Sequence, residues 1–262
     1  MARKVRLDRL LVDRGLAPSR QRARELIEAG HVLVDGLPAS KVASQVAVDR
    51  PVRLAQQDHG WVGRGALKLL GALEALAFDV DGAVCADLGA STGGFTEVLL
   101  HRGAARVYAI DVGRALLHRR LEVDPRVVVM DGVNARYLTV AESAPEGGAQ
   151  LPECVSRVVG DLSFIGLELV LPSLQRILTP GGEAVVLVKP QFEVGRGHLG
   201  KGGRVRDDAA RAQAIERVAA SAAAGGFEVL AGVDSTVPGA RSGNVEHFLH
   251  LRREAPGSAS TT

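Results

Sequence analysis

Four charged side chains, Lys68, Asp161, Lys189 and Glu246, each stand beside a short motif in a stretch patterned as one parallel-sheet domain. Two amines and two carboxylates converging on one site can take the proton from a hydroxyl that water cannot ionise at neutral pH. A lysine accepts a proton only in its neutral form, which burial or a neighbouring cation favours, and Lys68 beside Lys189 would supply that cation. Asp161 and Glu246 would orient the amines and balance the charge. A carboxylate placed too close would oppose the task, so the expectation demands selective geometry. Taken singly, each residue reads as a surface charge. Their placement argues otherwise. Asp161-Leu162-Ser163-Phe164 closes one strand pattern, and Lys189 closes the apolar run Val185–Val188. Glu246 is expected within the last strand pattern, and Lys68 follows Arg64 by four residues, on the same face of a helix.

The glycine-rich turn Asp87-Leu88-Gly89-Ala90-Ser91-Thr92-Gly93-Gly94, running on into Phe95, admits three chemistries. A dinucleotide fold wants glycine at the first, third and sixth places, and here the third is Ser91. Asp87 would also bring a carboxylate towards the phosphates. S-adenosylmethionine carries no phosphate, and its ammonium suits Asp87. Asp111, 22 residues after Gly89 at the end of the next strand and followed by Val112, suits ribose hydroxyls. Asp131 and Asn134, after the third strand, are candidates for the adenine, with turn capping the plainer alternative. Gly89-Ala90-Ser91-Thr92-Gly93 also fits a hydrolase nucleophile elbow, with His247 or His250 downstream. No glycine-rich oxyanion segment precedes it, and the motif follows the first strand of its domain. The methyl donor is the better reading.

The elements that must position these groups follow the alternation of apolar runs. Strands are expected at Ala83–Leu88, Arg106–Ile110, Val127–Met130, Arg157–Val159, Glu183–Val188, Phe227–Val233 and Val245–Leu251, with helices near Ala66–Ala77 and from Phe95 to Arg102. This pattern predicts an α/β, Rossmann-like doubly wound sheet. Ahead of it, Leu7, Leu10 and Leu11 mark one helix. Ser19 caps a second, and His31–Gly36 is a strand entering an Asp-Gly turn. The domain boundaries are therefore a small α+β unit over 1–55, a linker over 56–63, the large domain over 64–254 and a disordered tail over 255–262. Ala141–Glu153 is expected to be an exposed loop, and Trp61 to pack between domains or to couple them.

Net charge is +2, but residues 1–55 hold 11 Lys/Arg against 6 Asp/Glu, and the remainder 21 against 24. Positive charge gathered in one small unit points to a polyanion. Arg3, Lys4, Arg6, Arg14, Arg20, Arg22, Arg24 and Lys41 are its candidate contacts, with Arg64 at the start of the large domain. Gly195–Arg206 adds a glycine-rich segment with Arg196, Lys201 and Arg204 and without acids, expected to be a flexible clamp on phosphates. Cys85 and Cys154 form neither a disulfide framework nor a metal-ligand spacing, so no metal is expected and a cytoplasmic location fits. No apolar run approaches the roughly 20 residues of a membrane helix, which argues against a membrane partner. An RNA 2′-O-methyltransferase, acting as a monomer, is the function these features support. A non-catalytic ribosome-assembly factor is the alternative, and a secreted pore-former a weaker one.

The stretch Ser19-Arg20-Gln21-Arg22-Ala23 … Ile27 … Gly30–Gly36 resembles the small RNA-binding domain first described in ribosomal protein S4. The remainder resembles the FtsJ/RrmJ-like ribose methyltransferases, whose signature is a Lys-Asp-Lys-Glu tetrad. Over nearly the whole chain the sequence is similar to the TlyA family, also known as haemolysins. That similarity runs through Arg64–Leu69, Gly89–Thr96, Asp161–Ile165, Val188–Glu193 and Gly243–Glu246. It implies S-adenosylmethionine as cofactor, cytidine ribose in 16S or 23S ribosomal RNA as substrate, and Lys189 as the base. Arg114-Ala115-Leu116-Leu117 departs from the Tyr-Gly-x-Gln-like pattern of relatives, and Asp58-His59-Gly60 from their basic linker.

Overall fold

The computed structural model describes residues 3–28, 30–55, 59–141, 149–239 and 243–255, without the side chain of Arg196. The expected tail from 256 and most of the Ala141–Glu153 loop lie outside the described residues, as do positions 56–58 of the expected linker. The chain divides into two units, Met1–Trp61 and Val62–Thr262.

In the first unit, β1 (Lys4–Arg6) leads into α1 (Leu7–Asp13), and α2 (Arg20–Glu28) follows. The Ser19 hydroxyl accepts the Arg22 amide at 3.1 Å, the expected cap. Then come β2 (Val32–Val34), β3 (Leu37–Pro38), β4 (Gln45–Ala47) and β5 (Val52–Leu54). The Asp35-Gly36 turn pairs β2 with β3, β5 flanks β2 on its other side, and β4 pairs with β1. Leu7, Leu10, Leu11, Ala23, Leu26, Ile27 and Val32 fill one core, as the 3.6-residue spacing requires.

The second unit begins with α3 (Gly65–Ala75), β6 (Val84–Leu88), α4 (Gly94–His101), β7 (Arg106–Asp111), α5 (Arg119–Glu122) and β8 (Val127–Asp131). Two short strands, β9 (Thr139–Val140) and β10 (Gln150–Leu151), pair in parallel. Leu151 is fully buried, so the end of the predicted exposed loop is instead core. Next are β11 (Val155–Gly160), α6 (Leu171–Ile177), β12 (Leu178–Val188), α7 (Pro190–Glu193), α8 (Asp208–Ala224), β13 (Phe227–Asp234) and β14 (His247–Arg253). Among the described residues, no helix is long and apolar enough to cross a membrane.

Seven strands form one sheet in the order β13-β14-β12-β11-β6-β7-β8. Neighbours from β12 to β8 run parallel, and β14 is antiparallel to both β12 and β13. Cys85, Ala86, Asp87 and Leu88 are all fully buried, so both faces of β6 are covered. The chain winds outwards from β6 through β7 to β8, then returns to β11 on the other side. That reversal opens a crevice beyond the carboxyl ends of β6 and β11. Glu246 was expected inside the last strand; it stands one residue before β14, whose antiparallel course brings that end beside the end of β12.

Candidate active site

Lys68 lies on α3, Asp161 directly after β11, Lys189 directly after β12, and Glu246 directly before β14. The sheet therefore delivers three of the four to one edge, and α3 brings the fourth. Lys68 Nζ donates to Glu246 Oε2 at 2.6 Å and lies 3.5 Å from Asp161 Oδ2. Lys189 Nζ is 2.6 Å from Asp161 Oδ1, an ion pair by distance whose angle falls outside hydrogen-bonding range. It donates to Ser163 Oγ at 2.6 Å. Exposure of the Lys68, Lys189, Asp161 and Glu246 side chains is 10%, 10%, 20% and 3%. Charges this buried persist only when paired. The expected crowding of amine against amine is not what the structure shows: the Asp161 carboxylate stands between the two lysines. A pocket of about 370 Å³ opens here, lined by Arg64, Lys68, Asp161, Lys189, Phe192 and Glu246 among others.

A second cleft, of about 800 Å³, adjoins the first and shares Asp161, Ser163 and Phe164 with it. Its lining includes Gly89, Ser91, Asp111, Val112, Asn134 and Leu116. Asp111 accepts the amides of Ser91 and Gly113, both at 2.8 Å, which fixes its carboxylate at the rim of the turn. Each carboxylate oxygen keeps a lone pair for a hydroxyl donor. Ile110, Val133 and Val170 add apolar wall, and Leu116 belongs to the segment that departs from the family pattern. A polar rim with the two acids Asp111 and Asp161, apolar walls and this volume suit a nucleoside-bearing cofactor.

The turn itself is shaped by backbone need. Gly89 has φ +84°, and a Cβ there would sit 2.9 Å from the Asp161 carbonyl oxygen. Gly93 has φ +97°, and a Cβ would strike Leu121 and Leu117. Both glycines let strand ends and helix approach more closely than any side chain permits.

Several residues expected to touch the cofactor do not line the cleft. Ala90, Gly93, Gly94 and Phe95 are buried, with Phe95 stacked at 6.2 Å on Phe248. Thr92 is exposed and its carbonyl holds the His118 amide. Asp131 accepts the Ala115 amide at 2.8 Å, a structural role. Asn134 lines the cleft while its Oδ1 caps the Arg136 amide at 3.0 Å. Asp87 departs furthest from expectation. It is fully buried behind the turn, where Thr96 Oγ1 donates to Oδ2 at 2.6 Å and Oδ1 has no partner among the described residues. Burial pushes its carboxyl up to about 7. It ties β6 to the first turn of α4 and is not an open partner for an ammonium.

The basic residues divide by what they touch. Asp8, with its side chain 1% exposed, accepts Arg6 at 3.0 Å and Arg20 at 2.7 Å, and both guanidiniums remain open to solvent. Arg3, Lys4, Arg24 and Lys41 are exposed. Arg14 is exposed but braces the carbonyls of Val48 and Arg50 at 2.7 and 2.8 Å. Arg22 is the exception. It turns onto Glu25 and the Trp61 carbonyl, both at 3.0 Å, and so holds the chain instead of facing phosphate. Arg64 lines the lysine pocket. Lys201 and Arg204 are exposed on a segment expected to be loose, yet Asn244 bonds its Gly203 carbonyl at 3.1 Å and its Val205 amide at 3.0 Å. Arg196's side chain lies outside the described residues.

Two site residues escaped sequence reasoning. Ser163 was visible only as part of a motif, and nothing in its spacing said that it faces Lys189. Glu193 accepts the Leu167 amide at 2.8 Å and so links the helix after Lys189 to the loop after Asp161. Burial raises its carboxyl above the usual range.

A parallel sheet ending in an antiparallel hairpin, with a cofactor-sized cleft at the strand-order reversal, defines a methyltransferase-type Rossmann fold carrying a small added RNA-binding unit. Residues 61–253 match the FtsJ-like methyltransferases, and residues 5–50 match the S4 domain. The 16S/23S rRNA (cytidine-2′-O)-methyltransferase TlyA of Mycobacterium tuberculosis is 50% identical over 99% of this chain and 94% of its own length. Hemolysin A of Brachyspira hyodysenteriae is 34% identical over 94% of this chain and 99% of its own. A solved Streptococcus thermophilus structure described as a hemolysin superposes with a TM-score of 0.71, at 36% identity, over 97% of this chain and 90% of that one. The chain belongs to the TlyA family of FtsJ-like methyltransferases.

Proposed function

We propose that this protein methylates the 2′-hydroxyl of cytidine ribose in ribosomal RNA, 16S, 23S or both, with S-adenosylmethionine as donor. The observation that carries this is the junction at Asp161–Phe164, where the nucleoside-sized cleft and the two-lysine pocket meet. The activity of the M. tuberculosis relative supports the same substrate. A ribosomal RNA substrate supports a cytoplasmic reaction, and the supply of all four charged groups by one chain supports a monomer.

Asp111 would hold the ribose hydroxyls of the cofactor, with Val112, Leu116, Val133 and Val170 around its base. When bound, the cofactor supplies an electrophilic methyl group on a sulfonium. The chain's own residues handle the proton. Lys189 Nζ takes it from the 2′-hydroxyl, and Asp161, 2.6 Å away, stabilises the ammonium that results. Lys68, held by Glu246 at 2.6 Å, steadies the other Asp161 oxygen from 3.5 Å. The exposed bases of the first unit, chiefly Arg6 and Arg20, meet phosphates.

Lys189→Ala tests the reading. Transfer of tritiated methyl to ribosomal subunits should be lost, with RNA affinity within about twofold of wild type, as expected for a group acting only in the transition state. Wild-type transfer by this variant would refute the assignment. Mapped ribose methylation at residues other than cytidine would refute the substrate.

A further inference from the structure

We infer that Ser163 is a positioning residue for Lys189: its hydroxyl orients the lysine amine so that the amine's lone pair faces the pocket. This rests on the proposed role of Lys189. Among the described residues, the one hydrogen bond of good direction recorded for Lys189 Nζ goes to Ser163 Oγ, at 2.6 Å. The Asp161 contact is as short, but its angle lies outside hydrogen-bonding range. Charge attraction thus draws the amine to Asp161, and Ser163 sets its direction.

The stereochemistry of a neutral amine gives this consequence. Its nitrogen carries the stem, two N–H bonds and one lone pair in four tetrahedral directions. Ser163 takes one N–H bond, and the Asp161 carboxylate, close by but off the bond axis, repels the lone pair, leaving it the direction towards the open pocket. Without Ser163 the amine turns about its last bond, and the lone pair spends part of its time aimed at protein. A lysine side chain has many rotamers to lose, so a single well-directed acceptor matters more here than on a rigid side chain.

The backbone around Ser163 is built for placement. Phe164, the next residue, has φ +66°, in the left-handed region that bulky residues avoid. Glu193 fixes the far end of the same loop through the Leu167 amide at 2.8 Å. Ser163 lines both the cofactor cleft and the lysine pocket, where the transferred group must pass. Its side chain is otherwise exposed, so replacing it removes little packing.

The test is single-turnover methyl transfer to ribosomal subunits by Ser163→Ala, Ser163→Cys and Ser163→Thr. Alanine and cysteine should slow the step about tenfold, with unchanged affinity for RNA and for S-adenosylmethionine. Threonine keeps the hydroxyl at an exposed position and should restore the rate to within about threefold. A wild-type rate for both alanine and cysteine overturns the inference. So does a loss that appears in affinity instead of rate, or a threonine variant as slow as alanine. Lys189→Ala assayed alongside separates the two claims. If it is inactive while Ser163→Ala is unimpaired, only the role of Ser163 falls. If it is fully active, the role of Lys189 falls whatever Ser163 does.

Discussion

Lys68 Nζ and Glu246 Oε2 lie 2.6 Å apart although 178 residues separate them in the chain. Helix α3 and the start of β14 meet at this contact, which makes the pair a clasp as well as part of the site. Glu246→Ala would leave the Lys68 ammonium, 10% exposed, with Asp161 at 3.5 Å as its one carboxylate partner among the described residues. Urea unfolding should show a loss of about 3 kcal/mol, the cost of stranding a buried charge. Lys68→Met combined with Glu246→Met should recover most of that stability, because a buried pair is replaceable by apolar groups of similar size. The double variant should still transfer no methyl. If it unfolds as easily as Glu246→Ala, the pair is not what strains the single variant.

Gly89 and Gly82 both have positive φ, +84° and +65°, but only Gly89 faces backbone, with a Cβ 2.9 Å from the Asp161 carbonyl oxygen. Gly82→Ala should cost about 1 kcal/mol, the left-handed penalty alone, and leave cofactor affinity unchanged. Gly89→Ala carries the same penalty and must also push β6 away from β11. Calorimetric binding of S-adenosylmethionine should weaken at least about tenfold, as expected when a preorganised site is displaced. Equal behaviour of the two variants would show that the close approach does not shape the cleft.

Asp87 makes stability depend on pH in an unusual sense. Burial lifts its folded-state carboxyl from 3.8 to about 7, so the folded protein favours the protonated form. The stabilisation is complete below the unfolded value, near pH 4, and is lost as pH rises through about 7. Asp87→Asn cannot ionise. Its stability relative to wild type should therefore improve between pH 5 and pH 8, read from urea midpoints. A constant difference across that range would place the titration of Asp87 elsewhere.

Asp8 shows the opposite sign. The Arg6 guanidinium and then Arg20 hold its carboxyl down at about 2, against 3.8 unperturbed. Its contribution is present above pH 4 and fades as pH falls towards 2. After allowance for solvent around the two arginines it is about 1–2 kcal/mol at neutral pH. Asp8→Asn adds positive charge to a basic unit, and charge counting alone predicts tighter RNA binding. Losing the bridge that fixes both guanidiniums should instead weaken it several-fold and flatten its salt dependence. Tighter binding with a steeper salt slope would show that Asp8 does not organise an RNA contact.

Apolar runs located all seven strands of the large sheet, the central ones most plainly, because strands covered on both faces read as unbroken Val, Leu, Ile and Ala. They also marked Asp161 and Lys189, since a charge that ends a buried run must stand at a strand's carboxyl edge, where open sheets keep their clefts. Glu246 was assigned to the strand it precedes, a one-residue difference at a boundary that apolar patterning does not resolve.

Composition and spacing pointed to a basic RNA-binding unit, a glycine-rich turn suited to a methyl donor, and two lysines and two acids beside strand-end motifs. They did so because periodicity, turn residues and net charge are properties of neighbours along the chain. Only the tertiary structure decided which partner each group meets. It set Asp161 between the lysines, turned Arg22 onto Trp61, hid Asp87 behind Thr96 and brought Ser163 to the lysine amine. Those outcomes depend on distances of a few ångströms between segments remote in sequence, set by strand register and by which side chains win the buried space, and no local pattern encodes them.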